Sequence, residues 1–209
     1  MKVSCLNWSN KDSIRSIMQE LKHDNIVLGT SDTILGLLAP ITKGGYTNLN
    51  EIKGRAKKPF IVLISDPKKV SLFAETITPE IERLIDNCWP GPLTIIVKAK
   101  KDLPTFLTSK DGTIALRVPD HKGLLSVLQH FDGLFSTSAN KTDQPVPEHI
   151  EDVDPEIIKK SVCCIRDDDK KPVVPSTILD CTGAVIKVLR VGVFPVKQLE
   201  KITGKPFEQ

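Results

Sequence analysis

Apolar residues at Ile14, Ile17, Met18 and Leu21 recur every three or four positions, which predicts an amphipathic helix from Asp12 to His23. Asn25 breaks it, and Ile26-Val27-Leu28 reads as a short apolar strand. From Thr33 to Ala39 the chain is apolar and partly extended, with Gly36 marking a close backbone approach. Tyr46 to Ile52 is predicted to turn as a helix. Phe60 to Ile64 is a buried strand stopped by Ser65-Asp66-Pro67. Thr78 before Pro79 combines an N-cap hydroxyl with proline at the first helical position, and Ile81, Leu84 and Ile85 supply that helix with its apolar face.

Further along, Pro90-Gly91-Pro92 is a rigid turn into a strand from Leu93 to Val97. Thr113 to Val118 is a strand, Leu124 to Gln129 a helix, and Leu134 to Thr137 a strand ending in Ser138-Ala139-Asn140. A polar, proline-bearing loop runs from Lys141 to Glu148, either a lid or an ordinary surface loop. A short helix near Pro155 to Lys160 precedes strands at Val162 to Ile165, Thr177 to Asp180 and Val185 to Leu189; a helix from Pro195 to Ile202 follows. Strands and helices interleave without strict βαβ regularity. This predicts an α/β fold with a twisted mixed β-sheet and flanking helices, not a doubly wound nucleotide fold.

Composition narrows the class. The 209 residues contain no linker-like or repetitive stretch, so a single domain over 1–209 is expected. Lys and Arg number 29 against 26 Asp and Glu, a net +3 that announces neither a nucleic-acid nor a membrane binder. The five cysteines, Cys5, Cys88, Cys163, Cys164 and Cys181, have no C-x-x-C spacing and read as buried, reduced thiols of a cytoplasmic protein. No export signal or membrane-length apolar run is evident.

Common site motifs are missing. There is no G-x-x-x-x-G-K-S/T loop, G-x-G-x-x-G turn, H-E-x-x-H or G-x-S-x-G elbow. His23, His121, His130 and His149 are scattered, so no histidine–cysteine metal site is expected and each reads as a surface residue. What remains is a set of polar or cationic segments at strand ends. They are Thr30-Ser31-Asp32-Thr33, Lys53-Gly54-Arg55, Trp89 to Thr94, Ser136 to Asn140 and Pro175-Ser176-Thr177. Arg117 and Arg190 add cations after apolar strands. A lone strand-end arginine usually makes a weak surface pair. Several together with hydroxyl-rich loops suggest a convergent site for carboxylate or phosphate.

Those segments carry a family resemblance. D-T-I-L-G-L at 32–37 resembles the P-T-D/E-T-x-Y/F-G-L signature of the YrdC-like family, and I-K-G-R-A-K-K-P-F-I-V at 52–62 resembles its K-x-R segment. W-P-G-P-L-T at 89–94, L-R-V-P at 116–119, S-A-N at 138–140, P-S-T-I-L-D at 175–180 and L-R-V-G at 189–192 follow in the family's order. The resemblance spans about residues 12–195. It implies a twisted α/β sheet with a basic concave face and threonylcarbamoyl-AMP synthase activity. That reaction takes L-threonine, bicarbonate and ATP, with Mg2+ as cofactor, and releases pyrophosphate. The product feeds a tRNA threonylcarbamoyl-transferase complex that modifies adenosine 37, and contact with tRNA or double-stranded RNA is a further possible partnership.

By the same resemblance, Lys53, Arg55, Ser138 and Asn140 are the expected catalytic residues, and these four with Thr113 and Arg190 bind ATP, Thr113 lying beside Arg190. Ser31, Arg117, Ser136 and Ser176 match positions of the threonine subsite, with Arg117 facing the carboxylate. No metal-ligating residue is implied, because Mg2+ would bind through triphosphate oxygens and water. Taken alone, the serines read as turn hydroxyls bonded to their own backbone. The solvated-charge reading of Lys53 and Arg55, beside Lys57 and Lys58, is outweighed by the motif. Gly29-Thr30-Ser31 replaces the family's aromatic-Pro-Thr, Leu35 an aromatic, Leu63 a histidine, Val146 a small hydroxyl residue and Val191 a proline. The phosphate-side residues therefore match while the threonine side differs. A carbamoyl-adenylate-forming domain and a non-catalytic RNA-binding module are the alternatives.

Overall fold

The computed structural model describes residues 4–54, 59–166 and 174–208, with Ser4, Cys5, Thr30 and Arg166 as backbone only. The first half contains β1 (Ser4–Asn7), α1 (Lys11–Lys22), β2 (Val27–Thr30), β3 (Leu35–Pro40), α2 (Lys43–Lys53), β4 (Ile61–Leu63), α3 (Val70–Phe73) and α4 (Pro79–Cys88). There follow β5 (Leu93–Lys98), β6 (Thr113–Arg117), α5 (Lys122–Leu128) and β7 (Leu134–Ser138). The last third holds α6 (Pro155–Lys160), β8 (Cys163–Arg166), β9 (Thr177–Asp180), β10 (Lys187–Arg190) and α7 (Val196–Thr203).

The helix predicted from Asp12 is α1, started by the Asn10 side chain accepting from the amides of Asp12 and Ser13. Thr78 and Pro79 open α4 as predicted. β1 and α3 escaped the sequence pattern. β1 is only four residues long, and the turn at Pro67–Lys69 leads into the four-residue α3; neither is long enough to show a period. The last predicted strand is shifted, running from Lys187 rather than Val185.

The described residues form one ten-stranded sheet, in the order β1-β8-β2-β3-β7-β4-β6-β5-β9-β10, with parallel and antiparallel neighbours. It is mixed, as predicted. Its two faces differ because side chains alternate along each strand. One face is buried along its length: Leu37, Phe135, Val62, Leu116, Ile95 and Leu179 pack beneath α2, α3, α4, α6 and α7. On the other face α1 and α5 contribute Ile17, Leu21, Leu124 and Leu128, which cover Val27, Leu38, Leu63 and Leu134. Among the described residues, this second layer reaches only part of the sheet. Past its edge, the same face presents polar and small side chains, and the site lies there.

Candidate functional site

The uncovered stretch of sheet floors a cavity of about 200 Å3. Alternation explains what lines it. Leu116 and Leu179 point into the core, so Arg117 and Ile178 point out; Phe135 is core, so Ser136 and Ser138 face the cavity. Ser31 and Thr33 follow β2, Ser176 precedes β9, and Arg190 ends β10. Six residues assigned from the sequence, Ser31, Arg117, Ser136, Ser138, Ser176 and Arg190, thus meet around one cavity.

Pairing register brings the two arginines level. Arg190 is opposite Ile178, Ile178 opposite Thr94, and the next residue on β5, Ile95, opposite Leu116. Arg190 donates from Nε to the Ser176 carbonyl at 3.0 Å and from Nη2 to Ser176 Oγ at 3.1 Å. Ser176 Oγ also lies 2.8 Å from the buried Thr94 hydroxyl. Burial lowers the pKa of Arg190, and the charge of Arg117 lowers it further.

Arg117 is more heavily engaged. Nε donates to Gly91 O at 3.0 Å, Nη1 donates to Thr33 Oγ1 at 3.0 Å, and Nη2 sits 2.5 Å from Asp32 Oδ2. Burial lowers its pKa, while the Asp32 charge and hydrogen bond act in the opposite direction. Asp32 Oδ2 also accepts from the Asp120 amide at 3.0 Å, whereas the buried Oδ1 lacks a hydrogen-bond partner among the described residues. Sequence reasoning passed over Asp32 as a functional residue. Its signal was the only carboxylate among the strand-end segments that supply the cavity.

Other predicted residues sit elsewhere. Thr113 does not lie beside Arg190: it pairs with Lys98, four residues along β5 from Thr94, roughly 13 Å at the usual strand rise. Its hydroxyl bonds Ser109 Oγ at 2.8 Å, tying down the loop between β5 and β6. Lys53 is buried at the end of α2 and is absent from the cavity lining; its Nζ donates to the Ser138 carbonyl at 2.8 Å and to Asn140 Oδ1 at 3.0 Å. Arg55, Lys57 and Lys58 lie outside the described residues. Of the positions that depart from the family pattern, Leu35 and Leu63 are core residues, while Val146 and Val191 are exposed. Ser31 is bonded within its own turn, its Oγ accepting from the Thr33 amide at 3.3 Å.

His121 overturns the surface reading of the histidines. It is buried, Nδ1 accepts from the Leu124 amide at 3.1 Å to cap α5, and its ring meets Trp8 edge-on. Among the described residues, no three His, Cys, Asp or Glu side chains are grouped to hold a metal ion. No helix among them is long and apolar enough to cross a membrane.

Comparison with known proteins gives consistent matches. A family model for Sua5, YciO and YrdC proteins, described as Telomere recombination, matches residues 19–192. The threonylcarbamoyl-AMP synthase of Pyrococcus abyssi is 28% identical over 188 residues, 88% of this chain and 55% of that protein. A putative threonylcarbamoyl-AMP synthase of Methanocaldococcus jannaschii is 29% identical over 206 residues, 96% of each chain. The chain therefore spans about half of the first relative and nearly all of the second. The structure of P. abyssi Sua5 complexed with L-threonine matches with a TM-score of 0.88 at 27% identity, covering 96% of this chain and 60% of that one. E. coli YciO shares the fold, with a TM-score of 0.81 at 22% identity, covering 93% and 96%.

Proposed function

The chain belongs to the Sua5, YciO and YrdC family, and from that premise we propose that it forms L-threonylcarbamoyl-adenylate from L-threonine, bicarbonate and ATP. The observation that carries this reading is the convergence of Arg117, Arg190 and four serines on one uncovered stretch of sheet. Relatives named for this synthase activity, and a related structure complexed with L-threonine, support it.

In the reaction, the threonine amine and bicarbonate condense to a carbamate with loss of water, and an oxygen of that carbamate bonds to the α-phosphorus of ATP. The bond from that phosphorus to pyrophosphate breaks, and pyrophosphate leaves with the electron pair. Two anions must approach each other, so the site's contribution is to position them and offset their charge. Arg117, restrained by Asp32, faces the threonine carboxylate. Ser31, Ser136 and Ser176 offer hydroxyls to the amino acid. Arg190 lies on the phosphate side with Ser138 and Asn140, and Arg55 belongs to the same side by its motif. A cavity of about 200 Å3 suits the amino acid, with the nucleotide extending from its open side.

The described residues offer no carboxylate cluster for Mg2+, so the ion would arrive with ATP, held by phosphate oxygens and water, and offset phosphate charge. The product would pass to a tRNA threonylcarbamoyl-transferase complex in the cytoplasm, with tRNA meeting the basic concave face that the family resemblance implies.

Incubation with ATP, Mg2+, bicarbonate and L-threonine tests the proposal, with pyrophosphate and the adenylate measured together. The expected outcome is stoichiometric formation of both, dependent on threonine. Turnover with carbamoyl phosphate but none with threonine would replace this reading by carbamoyl-adenylate formation. RNA binding without either activity would leave a non-catalytic module.

A further inference from the structure

Lys53 ends α2, where Gly54 adopts a left-handed conformation with φ of 60° and terminates the helix. The residue is 2% exposed, an extreme value for lysine. Its ammonium is surrounded by oxygen. Nζ donates to Ser138 O at 2.8 Å, to Asn140 Oδ1 at 3.0 Å and to Asn140 O, and Ser138 Oγ lies at 3.5 Å. An ammonium has three N–H donors. Directed into this cage they are engaged by the protein itself, which is how a buried ammonium replaces its lost hydration.

The main chain of the same residue joins the same segment. Lys53 O accepts from Thr142 Oγ1 at 2.9 Å and from the Thr142 amide at 3.4 Å. Inside the turn, Ser138 Oγ donates to Asn140 Oδ1 at 2.5 Å, and Asn140 Nδ2 donates to the Gln144 carbonyl. The turn continues into the cavity wall, since Ala139 N donates to Leu35 O at 3.0 Å and Ser138 pairs with Gly36.

We infer that Lys53 is a positioning residue: its ammonium ties the end of α2 to the 138–144 turn and so sets Ser138 and Asn140, instead of contacting phosphate. The role given to that turn rests on the proposed adenylate chemistry, whereas the cage itself does not. Arginine cannot replace Lys53 here. Its planar fork is larger and directs its donors differently from a compact ammonium.

Three measurements on the wild type and variants test this: the side-chain nitrogen signal, amide exchange and steady-state kinetics. In wild-type protein without nucleotide, the Lys53 side-chain 1H–15N signal should be visible through slow exchange, and pyrophosphate should leave it unmoved. Lys53→Met and Lys53→Arg should each raise amide exchange over 139–144 by about tenfold or more while thermal unfolding stays cooperative. In both, kcat should fall and KM should rise for threonine as well as ATP. Thr142→Val, a milder change on the same tie, should raise exchange in the turn by a smaller factor. The inference is overturned if the signal is absent until pyrophosphate binds, if Lys53→Arg keeps wild-type turnover, or if Lys53→Met raises only the KM for ATP with exchange unchanged. Wild-type protein without threonine-dependent turnover would sink the adenylate reading, yet the nitrogen signal and exchange would still decide the role of Lys53.

Discussion

Arg117 and Asp32 are each about 95% shielded and face each other at 2.5 Å, so removing either alone strands a buried charge. Asp32→Ala should cost about 3–5 kcal/mol of stability, the usual size for breaking a buried pair, read as a lowered urea midpoint. The double variant Asp32→Ala/Arg117→Met should recover part of that loss, and strict additivity in the double-mutant cycle would show that the two do not interact. Under the proposed function the pair also bears on substrate recognition. Asp32 holds the guanidinium that faces the cavity, so loss of Asp32 should raise the KM for threonine even where the protein remains folded. Thr94 and Ser176 illustrate a neutral version of the same logic, two buried hydroxyls satisfying each other beside Arg190.

At the level of elements, the start of β9 is the most tightly specified part of the site. A Cβ on Gly192 would stand 2.1 Å from Pro175 O and 2.5 Å from the Ser176 carbonyl carbon, both backbone atoms with little room to move. The Gly192 amide donates to Thr177 Oγ1 at 3.0 Å, holding the chain at that approach. Gly192→Ala should therefore push Ser176 away from Thr94 and Arg190. A loss of roughly 1–3 kcal/mol, typical of overpacking, is expected in denaturant melts, with a marked fall in threonine affinity by calorimetry. An unchanged affinity would show that β9 is not what places Ser176. Elsewhere the helices act as cover: α1 and α5 stop short of the cavity, and it is where they stop that leaves the polar face open.

For the molecule as a whole, threonine binding to the folded state should stabilise it by about 2.7 kcal/mol at a hundredfold excess over Kd, visible as a shift in unfolding temperature. Burial pushes the Cys88 thiol up to about 11 and those of Cys163 and Cys181 to about 12. The folded protein keeps these protons where the unfolded chain, ionising near 9, releases them. Stability should thus be intact below pH 9 and decline from there towards 11–12, measured as urea midpoints at pH 8 and pH 10.5. Native thiols should also resist alkylation until the chain unfolds.

Most elements were legible in the sequence, because helix and strand periods, caps and turn residues act over a few neighbouring positions, and the ordered strand-end motifs marked six residues that meet around one cavity. Short elements such as β1 and α3 left too little period to read. Folding alone brings Thr33 and Arg117, 84 positions apart, into a hydrogen bond, sets Thr113 far from Arg190 and turns Lys53 inward to Ser138. Those facts depend on strand order and register, where a shift of one residue would reverse every side chain between core and cavity.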